Sequence, residues 1–205
     1  DILDQASQTV KEYYRTARWL GNGIAVSMTE NLEKRIEELE RHVQKLQARE
    51  GVIAGFNKYL YSIDTGFIDD ILDAFSEDAV LDVLNFPPDG VDMHFNGREE
   101  MAPLYERYRS RGLMIGGGHN ATNISIVIDD GAVTASLSAY FTTTRPAGVQ
   151  GGRYEGFLHL EGDGKWRITK LAIISAWGWK AETVKISDPV EAERSFFGGK
   201  PASSI

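Results

Sequence analysis

Three polar side chains stand out because they are set in apolar surroundings: Tyr59, Asp64 and His119. An imidazole is the side chain best suited to taking up a proton near neutral pH. A carboxylate bonded to one ring nitrogen fixes its tautomer, and a phenol can polarise a carbonyl or protonate a leaving oxygen. Each residue also has a plainer reading. Asp64 ends an apolar helix face just before Thr65-Gly66, where an Asp helps to start the next helix. His119 opens a strand in the run GGGHNATN, a place where a lone histidine is most often structural. Tyr59, five residues before Asp64, reads by itself as one aromatic of an amphipathic helix. Of the other histidines, His42 lies among charges and His94 alternates with outward polar residues. His159 shares the parity of Phe157 and could line a cavity as a second acid or base. No pair of histidines has helical metal-ligand spacing, so no metal is expected. The glycines at 116–118 precede a strand and not a helix, which excludes a phosphate loop.

The elements that must hold these groups follow from periodicity. Residues 1–20 repeat apolar side chains at three- and four-residue steps, and the two glycines of Gly21–Ser27 predict a hinge. Met28 marks a place where a shorter chain could begin, so residues 1–28 read as a helical extension and hinge. Over Thr29–Glu50, Leu32, Ile36, Leu39, Val43 and Leu46 form a heptad seam flanked by charges. That suits a two-stranded coiled coil but is short for one, so the stripe is expected against its own domain or a neighbouring subunit. Gly51 and Gly55 loosen the run before a second helical pattern through Ile63, and a short helix covers Phe67–Phe75. Strands are expected at Ala79–Leu84 and Val91–Phe95, then a helix over Gly97–Arg111. Four further strands follow at His119–Ile128, Val133–Thr143, Arg153–Leu160 and Trp166–Trp177. Their short connections predict antiparallel neighbours, with Pro146–Gly152 as a glycine-rich turn. The main domain is therefore 29–179, with 180–205 a tail ordered at most around Phe196–Phe197. Helices followed by a curved antiparallel sheet give an α+β class, the helices closing the concave side into a cone with one pocket of ligand size.

Composition limits the function. Of 205 residues, 30 are acidic, 22 basic and none is cysteine. A net charge of −8 opposes broad nucleic-acid binding, which needs a basic face. Without cysteine there is no disulfide framework, thiolate nucleophile or Cys-ligated metal. No apolar run approaches the ~20 residues of a membrane helix, and the first residues lack a signal peptide's pattern, so a cytoplasmic protein is expected.

Several motifs in order resemble the SnoaL-like branch of the NTF2-like superfamily. They are the charged leading helix, the aromatic-rich helix ending in Asp64-Thr65-Gly66, and the F-x-x-D-A-V step at Phe75–Val80. They continue with Phe95-Asn96-Gly97-Arg98-Glu99-Glu100, His119-Asn120-Ala121-Thr122-Asn123 and Gly164-Lys165-Trp166-Arg167-Ile168. The similarity spans roughly residues 30–178. Enzymes of this branch include scytalone dehydratase, a hexachlorocyclohexane dehydrochlorinase and bile-acid dehydratases. The resemblance implies a cone-shaped fold and a working set of Asp64, His119 and Tyr59. It implies elimination or retro-aldol cleavage of a small aromatic, polyketide or steroid-like compound without cofactor. Isomerisation or cyclisation through an enolate, and a non-catalytic binding or assembly module, are the alternatives. The bile-acid enzymes carry an Arg on the last strand, where this chain has Ile173-Ile174-Ser175-Ala176. Arg145 or Arg153 beside the glycine-rich loop could replace it, unless that loop is simply a solvated hairpin tip. Phe86, Tyr140, Phe141, Trp177 and Trp179 offer bulk for a ring-shaped substrate, or plain core. One geometric demand accompanies the set: simple alternation puts His119 opposite Ile124, Ile126 and Ile128, so it faces the pocket only from a polar face or across a bulge. The exposed stripe also predicts a homo-oligomer, dimer or trimer.

Overall fold

The computed structural model describes residues 2–17, 22–86, 89–110, 118–145 and 148–180. The tail and its Phe196–Phe197 lie outside the described residues. Two units are present, one up to Gln47 and one from Ala48 onward.

The first unit holds helix α1 (Ile2–Ala17) and the opening part of α2 (Asn22–Thr65). The hinge expected over Gly21–Ser27 is helix from Asn22 onward. A lone glycine inside a helix costs about 1 kcal/mol against alanine and need not end it. Leu32, Ile36, Leu39, Val43 and Leu46 are all exposed, so α1 does not cover the stripe within this unit. The Tyr14 hydroxyl donates to Glu33 Oε1 at 2.8 Å, tying α1 to α2 within this unit.

In the second unit α2 continues without a break. Ala48, Val52, Phe56, Tyr59 and Ile63 recur at three- and four-residue steps and are buried. Helix α3 (Ile68–Asp73) follows, then β1 (Phe75–Phe86), β2 (Val91–Asn96), α4 (Gly97–Ser110), β3 (His119–Ile128), β4 (Thr134–Arg145), β5 (Gly148–Leu160) and β6 (Trp166–Lys180). The strands form one curved, unclosed sheet in the order β2-β1-β6-β5-β4-β3. Its buried face carries Leu81, Val83, Ala139, Phe141, Tyr154, Leu158 and Leu171.

Two expectations change. The sheet is mixed, because β1 pairs with β6 in parallel while the other neighbours are antiparallel. Hairpin length constrains consecutive strands only, and β1 and β6 come from opposite ends of the domain. The glycine-rich segment before Arg153 is strand rather than turn: β5 starts at Gly148. A side chain at Gly152 would put Cβ 2.0 Å from the Ile174 carbonyl oxygen, so glycine here permits close strand approach.

The β5–β6 turn is fixed by a buried cation. Arg167 donates to the Asp73 backbone oxygen at 3.0 Å and Asp73 Oδ1 at 2.8 Å, to Glu161 at 2.6 Å, and to Asp163 at 3.0 and 2.9 Å. Lys58 also pairs with Asp73. Burial alone would raise the Asp73 pKa, but hydrogen bonds from Lys58 and Arg167 outweigh it and hold the carboxyl well below its ordinary 3.8. A depressed folded pKa gives stability that is present above the unfolded value and lost as pH falls towards the folded one. Arg167→Met is expected to cost about 2 kcal/mol at neutral pH, the figure reduced because its carboxylate partners are partly solvated. It should also flatten the acid side of the stability curve, as read from urea midpoints between about pH 5 and pH 2. An unchanged acid slope would remove Asp73 from the account.

Candidate active site

Helix α2 stops where its sequence provides a left-handed residue. Gly66 has φ 75°, and its N–H donates to the Ser62 carbonyl at 2.9 Å. Asp64 is thus held in the last helical turn, one turn beyond Tyr59.

His119 is aimed by an irregularity in β3. Thr122 pairs with Tyr140, but the next partners along the ladder are Ser125 and Ser138, so β3 has one extra residue. Asn123 takes it up with φ 52°, a conformation Asn tolerates better than most side chains. The slip puts His119 and Ala121 on the same inward face as Ile124, Ile126 and Ile128. It answers the demand that simple alternation had left open.

His119 and Asp64 then meet. Nδ1 of His119 lies 2.6 Å from Asp64 Oδ1, and the His119 backbone N–H donates to Oδ1 at 3.2 Å and Oδ2 at 3.0 Å. An ionised carboxylate only accepts, so Nδ1 carries the proton and Nε2 is the basic nitrogen. The imidazole is only 6% exposed. A second His–Asp pair exists on the sheet, His94 with Asp82 at 2.5 Å, but His94 is 58% exposed. Its hydrogen bond to Asp82 raises the His94 pKa, which favours a solvated imidazolium and not a base.

Tyr59 is fully buried, and its hydroxyl oxygen accepts from the Tyr105 hydroxyl at 3.4 Å. Burial pushes the Tyr105 phenol up from its ordinary value, so Tyr105 stays a donor at neutral pH. Tyr59, His119, Tyr105 and Tyr154 open on one cavity of about 60 Å³, with Thr143 and Gln150 as further polar wall. Apolar wall comes from Ile63, Leu81, Val83, Leu104, Phe141 and Ile173. At the cavity Phe86 and Tyr108 meet edge to face, ring centroids 6.0 Å apart, both half-buried. Among the described residues no cluster of three or more His, Asp or Glu could hold a metal ion.

The remaining candidates part company. Phe86 and Phe141 line the cavity. Tyr140, Arg153, His159 and Trp177 are exposed and absent from its wall. Tyr140 and Arg153 pair across β4 and β5, and Arg153 Nε bonds Glu155 at 2.8 Å. The error for His159 was its parity: Phe157 itself is 57% exposed, and the inward residues of β5 are Tyr154, Gly156 and Leu158. The side chains of Arg145 and Trp179 lie outside the described residues. Sequence reasoning missed Thr143, Gln150 and Tyr154. Thr143 had a signal, since it continues the buried set Leu137, Ala139, Phe141 at two-residue steps. Gln150 was hidden by reading its segment as a turn.

A family model described as the SnoaL-like domain matches residues 44–172. Among solved structures, a hexachlorocyclohexane dehydrochlorinase, LinA-type3 from Novosphingobium barchaimii LL02, has a TM-score of 0.60 at 14% identity, covering 72% of this chain and 99% of that one. LinA gives 0.60 at 13%, covering 73% and 99%. A provisionally assigned scytalone dehydratase from Novosphingobium aromaticivorans DSM 12444 gives 0.52 at 18%, covering 73% and 99%. At these identities the likeness speaks for the fold. No curated protein sequence matches the chain. No helix among the described residues is long and apolar enough to cross a membrane.

Proposed function

The chain belongs to the SnoaL-like domain family, and from that premise we propose that it is a cofactor-independent lyase whose base is His119, oriented by Asp64 and assisted by Tyr59. One observation carries the reading: the 2.6 Å bond between Asp64 and a nearly buried imidazole on the wall of a mainly apolar cavity. In the proposed step His119 Nε2 removes a proton from the carbon beside a carbonyl. Asp64 stabilises the imidazolium that forms, and in a desolvated site that support exceeds its value in water. Tyr59, itself accepting from Tyr105, polarises the carbonyl or protonates the departing oxygen. The C–H and C–O bonds break, a C=C bond forms, and water or another small acid leaves. Elimination is also the chemistry named for two of the structural neighbours, a dehydrochlorinase and a provisionally assigned dehydratase.

Cavity size narrows the substrate class. About 60 Å³ is well below the ~150 Å³ that accommodates benzene in an engineered core. A small substrate is favoured over a steroid-sized one.

The test is incubation of wild type in D2O with a graded panel of β-hydroxy carbonyl compounds, from small aliphatic to aromatic. Elimination supports the reading. Deuterium exchange without elimination would move it to an isomerase using the same base, and neither would leave a binding module. In an active pair, Tyr59→Phe is expected to lower kcat about 10–100-fold with KM little changed. An unchanged kcat would take Tyr59 out of the step.

A further inference from the structure

We propose that residues 32–46 of α2 form a parallel two-stranded coiled coil with the same segment of a second copy of this chain. The argument is independent of the catalytic reading. Five apolar residues are exposed along one stripe, Leu39 at 62% and Leu46 at 67%, and α1 of the same unit leaves them so. Their spacing is a heptad with Ile36 and Val43 at one core position and Leu32, Leu39 and Leu46 at the other. Branched residues at the first and leucine at the second are the combination that favours two parallel strands.

The flanking charges select the same orientation. In that register Glu33, Glu40 and Gln47 occupy one flank, and Arg35 and His42 occupy the other. Parallel strands set each flank against its opposite, bringing Arg35 of one copy to Glu40 of the next. Antiparallel strands would set Glu against Glu and Arg against Arg or His. Glu33 already accepts from Tyr14, and the parallel register asks no ion pair of it. His42 Nδ1 bonds the Glu38 carbonyl at 2.7 Å, which holds the ring along its own helix and off the seam. The seam is short, but α2 extends well past it at both ends, so the seam need not nucleate the helix.

The test uses the full chain. Sedimentation equilibrium over a concentration series is expected to show wild type passing from monomer to dimer. Leu39→Glu should stay monomeric, with a circular dichroism spectrum and melting curve that match wild type at concentrations where wild type is also monomeric, since the residue is exposed in the single chain. Because the chain has no cysteine, Leu32→Cys and Leu46→Cys report orientation: oxidised separately, each should give a covalent dimer. A monomeric wild type, a trimer, or a Leu39→Glu variant with wild-type mass overturns the proposal. So does cross-linking that appears only when the two cysteine variants are mixed.

Discussion

Asp64→Asn is expected to lower turnover by a factor of about 10³–10⁴ while leaving stability nearly unchanged, as severe a loss as removing the imidazole itself. The reason lies in what His119 asks of the carboxylate. Two donors face it, the backbone N–H at 3.0 Å from Oδ2 and the imidazole Nδ1 at 2.6 Å from Oδ1. A carboxylate accepts both, whereas an amide has one oxygen and one NH₂. With the amide oxygen at the Oδ1 position, NH₂ would confront a backbone N–H that cannot change. With the oxygen at Oδ2, the backbone is satisfied and NH₂ donates to Nδ1. The imidazole can adapt to that only by moving its proton to Nε2, which abolishes the base. In the second arrangement the backbone N–H keeps its 3.0 Å acceptor and loses only the longer 3.2 Å bond to Oδ1, so the melting temperature should move little. Asp64→Ala differs, because it strands both donors and should cost about 1–3 kcal/mol. Turnover, thermal melting and the ¹⁵N shifts of the His119 ring in the Asn variant check this together. Retained turnover with an Nε2-protonated ring would sink the base assignment.

The same pair shows what the sequence could convey. Tyr59, Asp64 and His119 could be singled out as polar groups in apolar segments, and the resemblance ordered them into a set. The pairing itself depended on one residue: without the extra Asn123 at φ 52°, β3 would carry His119 on the outer face. A bulge of that kind leaves no period in the sequence, only a break in one. The irregularities opposite Gly151–Gly152 and Phe157–Leu158 act likewise on β6, which has one extra residue at each, while β5 itself alternates without a break. His159 was misjudged for a plainer reason: Phe157, whose parity it shares, is an apolar residue on the outer face of β5. The helices were legible in extent because apolar period survives a glycine. Their continuity was not, since a glycine reads as a break until the surface it meets is known.

Gly55→Ala carries that last point to an expected result. In an ordinary helix interior the change would gain about 1 kcal/mol, because glycine loses more backbone freedom on folding than alanine. Here it should lose about 3 kcal/mol, and for a domain of this size lower the melting temperature by about 6–12 °C. A Cβ at Gly55 would sit 2.4 Å from the Trp166 carbonyl oxygen and 3.3 Å from its carbon. That atom is backbone of β6, and Trp166 pairs with Leu160 of β5, so it cannot turn aside as a side chain would. Relief requires α2 to lift off the sheet, which would disturb Val52, Phe56 and Tyr59, all essentially fully buried. Gly51 is the internal control. Its Cβ would lie 2.3 Å from the ring of Trp166, which is itself buried, so Gly51→Ala also forces a shift, but of a side chain and not of strand backbone, and should cost less. Lifting α2 would also displace Asp64 and the helix end that aims it, so Gly55→Ala should lose activity below its melting range while Gly51→Ala keeps most of it. Equal melting temperatures for the two variants, or a stabilised Gly55→Ala, would show that the close approach of α2 to β6 is not what requires glycine.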